Sequence, residues 1–231
     1  MFVIRDLIEE RQKYALGVNK DPLGDELLSH VVASASENEV AFITIGSTLF
    51  DKRKIKAIQE KYHIIGTYKI GRIFNETAIP FYIVHLSKAI PAGLRIALFH
   101  GIGYNPHSPA KNTDEITVPD SYPIEWVKYI NRLEAWMNGA EMPECDQLCE
   151  YRFIPVSKLY KENYNPEVYS KPNVEMRELL SKQDTKALSE LADILSPTAV
   201  SENADKAKVL KVRDLKYPLD VSHIEKDVPP V

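Results

Sequence analysis

The sequence predicts an α/β fold in which a mixed sheet closes with a terminal antiparallel hairpin and a helical C-terminal region follows. Two features carry this. Apolar runs of strand length at residues 40–45, 64–73 and 79–86 are bounded by turn residues. Between the first two, the polar segment 51–62 places Ile55 and Ile58 on one side at helical spacing. Strand, helix and strand in that order make a parallel crossover, and the turn at 74–78 then brings the chain back as a hairpin.

The remaining elements flank this unit. Residues 2–16 set Phe2, Leu7, Ile8 and Leu16 at helical spacing among Arg5, Glu9, Glu10 and Arg11, which predicts an amphipathic helix. A second helix is expected over 24–34, after the start signal Asp21-Pro22, with Leu27, Leu28, Val31 and Val32 as its apolar side. Past Pro91 a strand is expected at 94–99, then a connection over 101–122 rich in Gly, Pro, Asn and Asp. That is longer than most connections in a compact domain. A helix over 124–137 turns Trp126, Ile130, Leu133 and Trp136 or Met137 toward a core. Residues 151–156 alternate as a short strand, 163–169 form a tyrosine-rich loop, helices are expected at 174–180 and 185–195, and a short strand at 209–212. The expected division is N-terminal helices 1–35, the α/β unit 36–140, and a linker with a helical segment 141–231.

Composition narrows the function classes. At 231 residues the chain holds one large domain or one domain with an appendage. Its 44% hydrophobic and 27% charged residues are those of an ordinary globular protein. A net charge of -4 and a pI near 5.9 give no whole-chain attraction for nucleic acid, so polyanion binding has to come from a local patch. No run approaches the roughly 20 apolar residues that span a bilayer, and residues 1–10 alternate charge with hydrophobe instead of forming a signal-peptide core. A cytoplasmic location and no membrane partner are therefore expected. Cys145 and Cys149 lie four apart, as if on one helical face, and two thiols without a second pair do not make a metal site. The histidines are scattered, and no Ser, His and Asp arrangement can be assembled from spacing. No catalytic, cofactor-binding or metal-ligating residue is assigned.

The local patch that composition calls for is present. Lys52, Arg53, Lys54 and Lys56 fall on one expected helix, and Lys69 and Arg72 lie near the end of the next strand. Clustered cations of this kind gain affinity for DNA by neutralising phosphates and releasing counterions. The competing reading is a solvated helix face balanced by Asp51 and Glu60.

The order Val-Ala-Phe-Ile-Thr-Ile-Gly-Ser-Thr-Leu-Phe, a basic helix, Tyr-His-Ile-Ile-Gly-Thr-Tyr, and Ile-Phe-Asn-Glu-Thr-Ala-Ile-Pro-Phe-Tyr-Ile-Val-His-Leu-Ser-Lys resembles the N6-adenine DNA methyltransferases of restriction-modification systems. Type I modification subunits and fused type IIG enzymes are the nearest in pattern. The resemblance covers residues 38–90, and the matching positions are 45–47, Phe74, Asn75, Thr77 and Lys88. It implies the C-terminal part of a Rossmann-like, methyltransferase-like sheet, with Asn75 and Thr77 on the side facing DNA. A faint similarity extends over 151–169 to the linker that follows the methylase domain, and over 185–212 to a target-recognition segment.

Two motifs of the family are missing. No Gly-rich loop that would admit S-adenosylmethionine precedes residue 40. No Asn/Asp-Pro-Pro-Tyr/Phe motif, which would hold a flipped adenine, occurs either. Asn105-Pro106-His107 and Asn165-Pro166-Glu167 read as turn prolines. The chain is expected to be a truncated or split component that contributes DNA or subunit contacts, with S-adenosylmethionine bound by another chain. The alternative is an α/β protein-interaction module with no nucleic-acid function. A sheet tail without its central strands leaves an open edge. That edge is expected to meet a methyltransferase or specificity subunit, to self-associate, or to lie under the helix 2–16.

Overall fold

The computed structural model describes residues 1–12, 38–46, 49, 51–104, 117–160 and 163–182. The expected helices at 24–34 and 185–195, the strand at 209–212 and the Asn105-Pro106-His107 turn lie outside these residues. The chain divides into two compact units, Met1–Glu178 and Leu179–Val231, and of the second only residues 179–182 are described. The first unit is α/β. Its elements are α1 (Ile4–Gln12), β1 (Glu39–Ile45), α2 (Lys52–Gln59), β2 (His63–Gly71), β3 (Phe81–Ser87), β4 (Gly93–Phe99), α3 (Ile124–Met137) and β5 (Cys149–Pro155), then α4 (Lys171–Ser181), which continues past residue 178.

The five strands form one mixed sheet in the order β1-β3-β2-β4-β5. β3 is antiparallel to both β1 and β2, β4 is parallel to β2, and β5 is antiparallel to β4. β1 and β2 are therefore parallel, as the crossover predicts, but β3 lies between them. The antiparallel pair β2–β3 is interior to the sheet where the sequence places it at the end. β5 comes from beyond residue 140, so the sheet crosses that expected boundary. Hydrophobic runs without alternation belong to strands covered on both faces. β3 shows this fully, with all seven residues buried.

Two helices cover one face of the sheet. Ile4, Leu7 and Ile8 of α1 and Trp126, Tyr129, Leu133 and Trp136 of α3 pack on Ala41, Ile43, Tyr68, Phe81, Ile83 and Ala97. On the opposite face, Ile55 and Ile58 of α2 join Tyr62 and Tyr169 over Val40, Phe42, Val84, Ile96 and Leu98. Gly66 is required by a close approach. The Tyr68 hydroxyl lies where a side chain at 66 would begin, so only glycine admits that ring to the core.

The β1 end of the sheet is buried, and at the β5 end the start of the strand is covered. Val40–Thr44 of the edge strand β1 are buried. At the start of β5 the Asp146 N–H donates to Cys149 O at 2.9 Å and the Asp146 carboxylate accepts from the Cys149 N–H at 2.9 Å, and the Tyr151 N–H donates to Cys145 Sγ at 3.3 Å. Cys145 thus lies in a loop beside the strand that Cys149 opens, and the two thiols share no helical face. Pro155 ends the strand. Capping loops and prolines are the usual means of blocking strand addition at an edge.

β2 is irregular between Lys69 and Gly71, and Gly71 takes a positive φ of 77°. Three carbonyls in this region bond to aromatic side chains of α3 and its approach: Lys69 O to the Tyr129 hydroxyl at 2.8 Å, Ile70 O to Trp126 Nε1 at 2.7 Å, and Ile73 O to the Tyr122 hydroxyl at 2.7 Å. A buried carbonyl stripped of its donor costs about 1–3 kcal/mol. Trp126→Phe should therefore lower unfolding free energy by about that amount, read as a shift in the urea midpoint with an unchanged slope.

His85 of β3 is 1% exposed, with Nε2 3.4 Å from a Glu39 carboxylate oxygen and its ring meeting Phe2 edge-on at 4.9 Å. Burial lowers its pKa to about 4, against the opposing pull of Glu39, and Arg95 lowers it further. The unfolded chain then takes up the proton first, so this residue's contribution to stability declines as pH falls from 6.5 toward 4. His85→Phe should flatten the fall in melting temperature across that window, as measured by thermal denaturation in steps of pH.

Candidate nucleic-acid interface

Because β1, β2 and β4 run parallel, their C-terminal ends share one rim of the sheet. The N-terminus of α2, which follows β1, lies at this rim, which also carries the end of β2 and the turn into β3. Lys52, Arg53 and Lys54 in the first turn of α2, Lys69 and Arg72 around the end of β2, and the Asn75–Thr77 turn are thus brought together by topology. Lys56 follows one turn down α2.

Within this set the side chains have different duties. Lys52, Arg53 and Lys56 are exposed, while Lys54 and Arg72 are half-buried. Asp51 caps α2, its carboxylate accepting from the Arg53 N–H at 2.9 Å, and this bond holds the carboxyl below the usual carboxylate range. The Arg53 guanidinium lies 3.5 Å from the same carboxylate but is 93% exposed. Apart from Asp51 at the cap, no acidic residue occupies the first turn.

Lys69 is engaged within the protein. Its ammonium is 2.6 Å from Glu167, whose carboxylate also accepts from the Tyr82 hydroxyl at 3.3 Å. Burial alone would raise the pKa of Glu167, and the hydrogen bond and charge of Lys69 outweigh it and hold it below the ordinary value. Across the same face Glu150 accepts from His100 at 2.8 Å and from the Lys171 N–H at 2.8 Å, capping α4. Asn165-Pro166-Glu167 opens a short 3-10 turn, with the Asn165 side chain accepting from the Glu167 N–H. The motif is a turn proline, as the sequence indicates.

The Asn75–Thr77 turn works as a clasp. The Asn75 N–H donates to Thr117 O at 3.0 Å and Asn75 Nδ2 to Thr117 Oγ1 at 3.0 Å. Glu76 accepts from the Thr117 N–H at 2.8 Å and from its hydroxyl. Thr77 Oγ1 accepts from the Ile79 N–H and is buried. Phe74 is fully buried against Phe81. Thr117, the partner of Glu76, is the residue that sequence reasoning missed. The two stand 41 positions apart and only the tertiary fold joins them.

Among the described residues, no group of three His, Cys, Asp or Glu side chains is placed to hold a metal ion. No described helix is long and apolar enough to cross a membrane. No known protein family matches the chain, and no curated protein matches it.

Removing the Glu76 carboxylate takes two acceptors from Thr117 and leaves β2 and β3 untouched. Glu76→Ala should speed amide exchange at Thr117 by about tenfold, a local opening of about 1.4 kcal/mol, with protection in β3 unchanged.

Proposed function

We propose that this chain is a component of a DNA adenine-N6 methyltransferase of the restriction-modification type, contributing DNA or subunit contacts and not catalytic alone. It is built on the tail of a Rossmann-like, methyltransferase-like sheet. S-adenosylmethionine and the chemistry belong to another chain, because this sequence carries neither the Gly-rich loop nor the Asn-Pro-Pro-aromatic motif, and the partner in contact is a methyltransferase or specificity subunit.

One observation carries the reading: the clustered cations come from separate elements, yet they lie on the same rim of the sheet as the Asn75–Thr77 turn. Their exposed members, Lys52, Arg53 and Lys56, stand at and just behind the N-terminus of α2. A helix N-terminus favours anions, so lysines and arginine there add to an attraction for phosphate that the backbone already supplies. The Lys69–Glu167 pair and the Asn75–Thr117 clasp act as supports, holding the end of β2 and the turn beside α2.

The test is fluorescence anisotropy of a labelled duplex of about 20 base pairs at about 50 and 200 mM salt. The wild-type chain should bind, and Lys52→Glu with Arg53→Glu and Lys56→Glu should weaken binding by at least about tenfold and reduce the salt slope by about 0.9 for each phosphate no longer neutralised. Equal affinity of the two proteins at low salt would remove α2 from the interface and the reading with it.

A further inference from the structure

An open groove of about 1400 Å³ lies on the sheet face opposite α2, between α1, α3 and residues 117–122. Its apolar lining includes Ile8, Val118, Trp126, Val127 and Ile130, and Val127 is 40% exposed at its wall. We propose that this groove receives an amphipathic helix of a partner protein, with its apolar side inward and lysine or arginine residues along its flanks.

Size and charge carry the argument. Small-molecule sites occupy about 300–1,000 Å³, and this groove is larger. A helical turn 5.4 Å long and about 10–12 Å across fills roughly 500 Å³, so the groove takes between two and three turns. Among its charged lining residues, Glu9, Asp120 and Glu134 are acidic and Arg5 alone is basic. Glu134 is held in place there, its Oε2 accepting from the Ile4 N–H at 2.7 Å. A cationic helix gains from this field and an acidic one is repelled, while apolar anchors at i, i+3 and i+4 meet Trp126, Val127 and Ile130. The groove and the cationic rim lie on α1/α3 and on α2, so the inference stands whether or not α2 binds DNA.

The experiment uses the whole chain, labelled with nitrogen-15, and two model helical peptides of about twelve residues, one of Leu, Ala and Lys and one of Leu, Ala and Glu. The protein has two tryptophans, and the indole of Trp126 reports on the groove while that of Trp136 reports on the intact core. The lysine peptide should shift the Trp126 signal saturably and the glutamate peptide should not. Val127→Asp, and separately Glu9→Lys with Asp120→Lys, should each weaken the lysine peptide by at least about tenfold with the Trp136 signal unmoved. Equal binding of the two peptides, shifts that avoid Trp126, or no shift with either peptide would overturn the proposal. A Trp126 shift that tracks protein concentration without peptide would overturn it as well, assigning the groove to a second copy.

Discussion

The fold turns on the hydrogen bonds by which aromatic side chains of α3 and its approach close the carbonyls at the irregular end of β2. Tyr129, Trp126 and Tyr122 reach Lys69 O, Ile70 O and Ile73 O, and Tyr122 stacks on Trp126 at 4.1 Å. A strand that leaves regular pairing inside a core exposes polar backbone to a medium without water, which is costly unless each group finds a donor. Here the donors come from the helix layer itself. The same three bonds therefore seal the strand end, dock α3, and fix where Lys69, Arg72 and the following turn stand.

From that fixed end the polar contacts spread to both faces. Lys69 turns toward Glu167 and ties down the segment that leads to α4, and the turn at 75–77 holds Thr117 where the chain enters the α3 region. Each bond is modest, about 1.5–3 kcal/mol at most where a charged group takes part. Their joint effect is geometric, because they pin segments up to 98 residues apart against one strand end.

What sequence could supply follows from the range of each interaction. The bounds of α3 and the inner side of α2 were legible, since Trp126, Ile130 and Leu133, and Ile55 with Ile58, repeat at the helical period and local periodicity is a local signal. The apolar run at 79–86 indicated a strand, and β3 occupies Phe81–Ser87. Its insertion between β1 and β2 was not legible, because a crossover and a hairpin can each form with the third strand outside or inside the pair. The cysteines show the limit in another way. A spacing of four suits a helix, but Pro143 and Asp146 around Cys145 favour a turn, and Cys149 enters the sheet. At the rim, sequence named the cations without showing that Lys69 is consumed by Glu167, a pairing that only the packed segment 163–169 creates.

The exposed cations at the start of α2 are where local stability and arrangement disagree. Positive side chains in a first turn oppose the helix dipole by about 0.3–1 kcal/mol each at an exposed site. Other helices in the unit follow the dipole: α1 has Asp6 in its first turn, α3 has Glu125, and α4 borrows the Glu150 carboxylate. α2 has Asp51 as its cap and then Lys52, Arg53 and Lys54, with no acidic residue in that first turn. Places where a sequence departs from its own local rules are those where folding is not the only demand on it. The rim keeps this charge, beside a turn clasped shut by Asn75 and Glu76, at a cost to the helix that carries it.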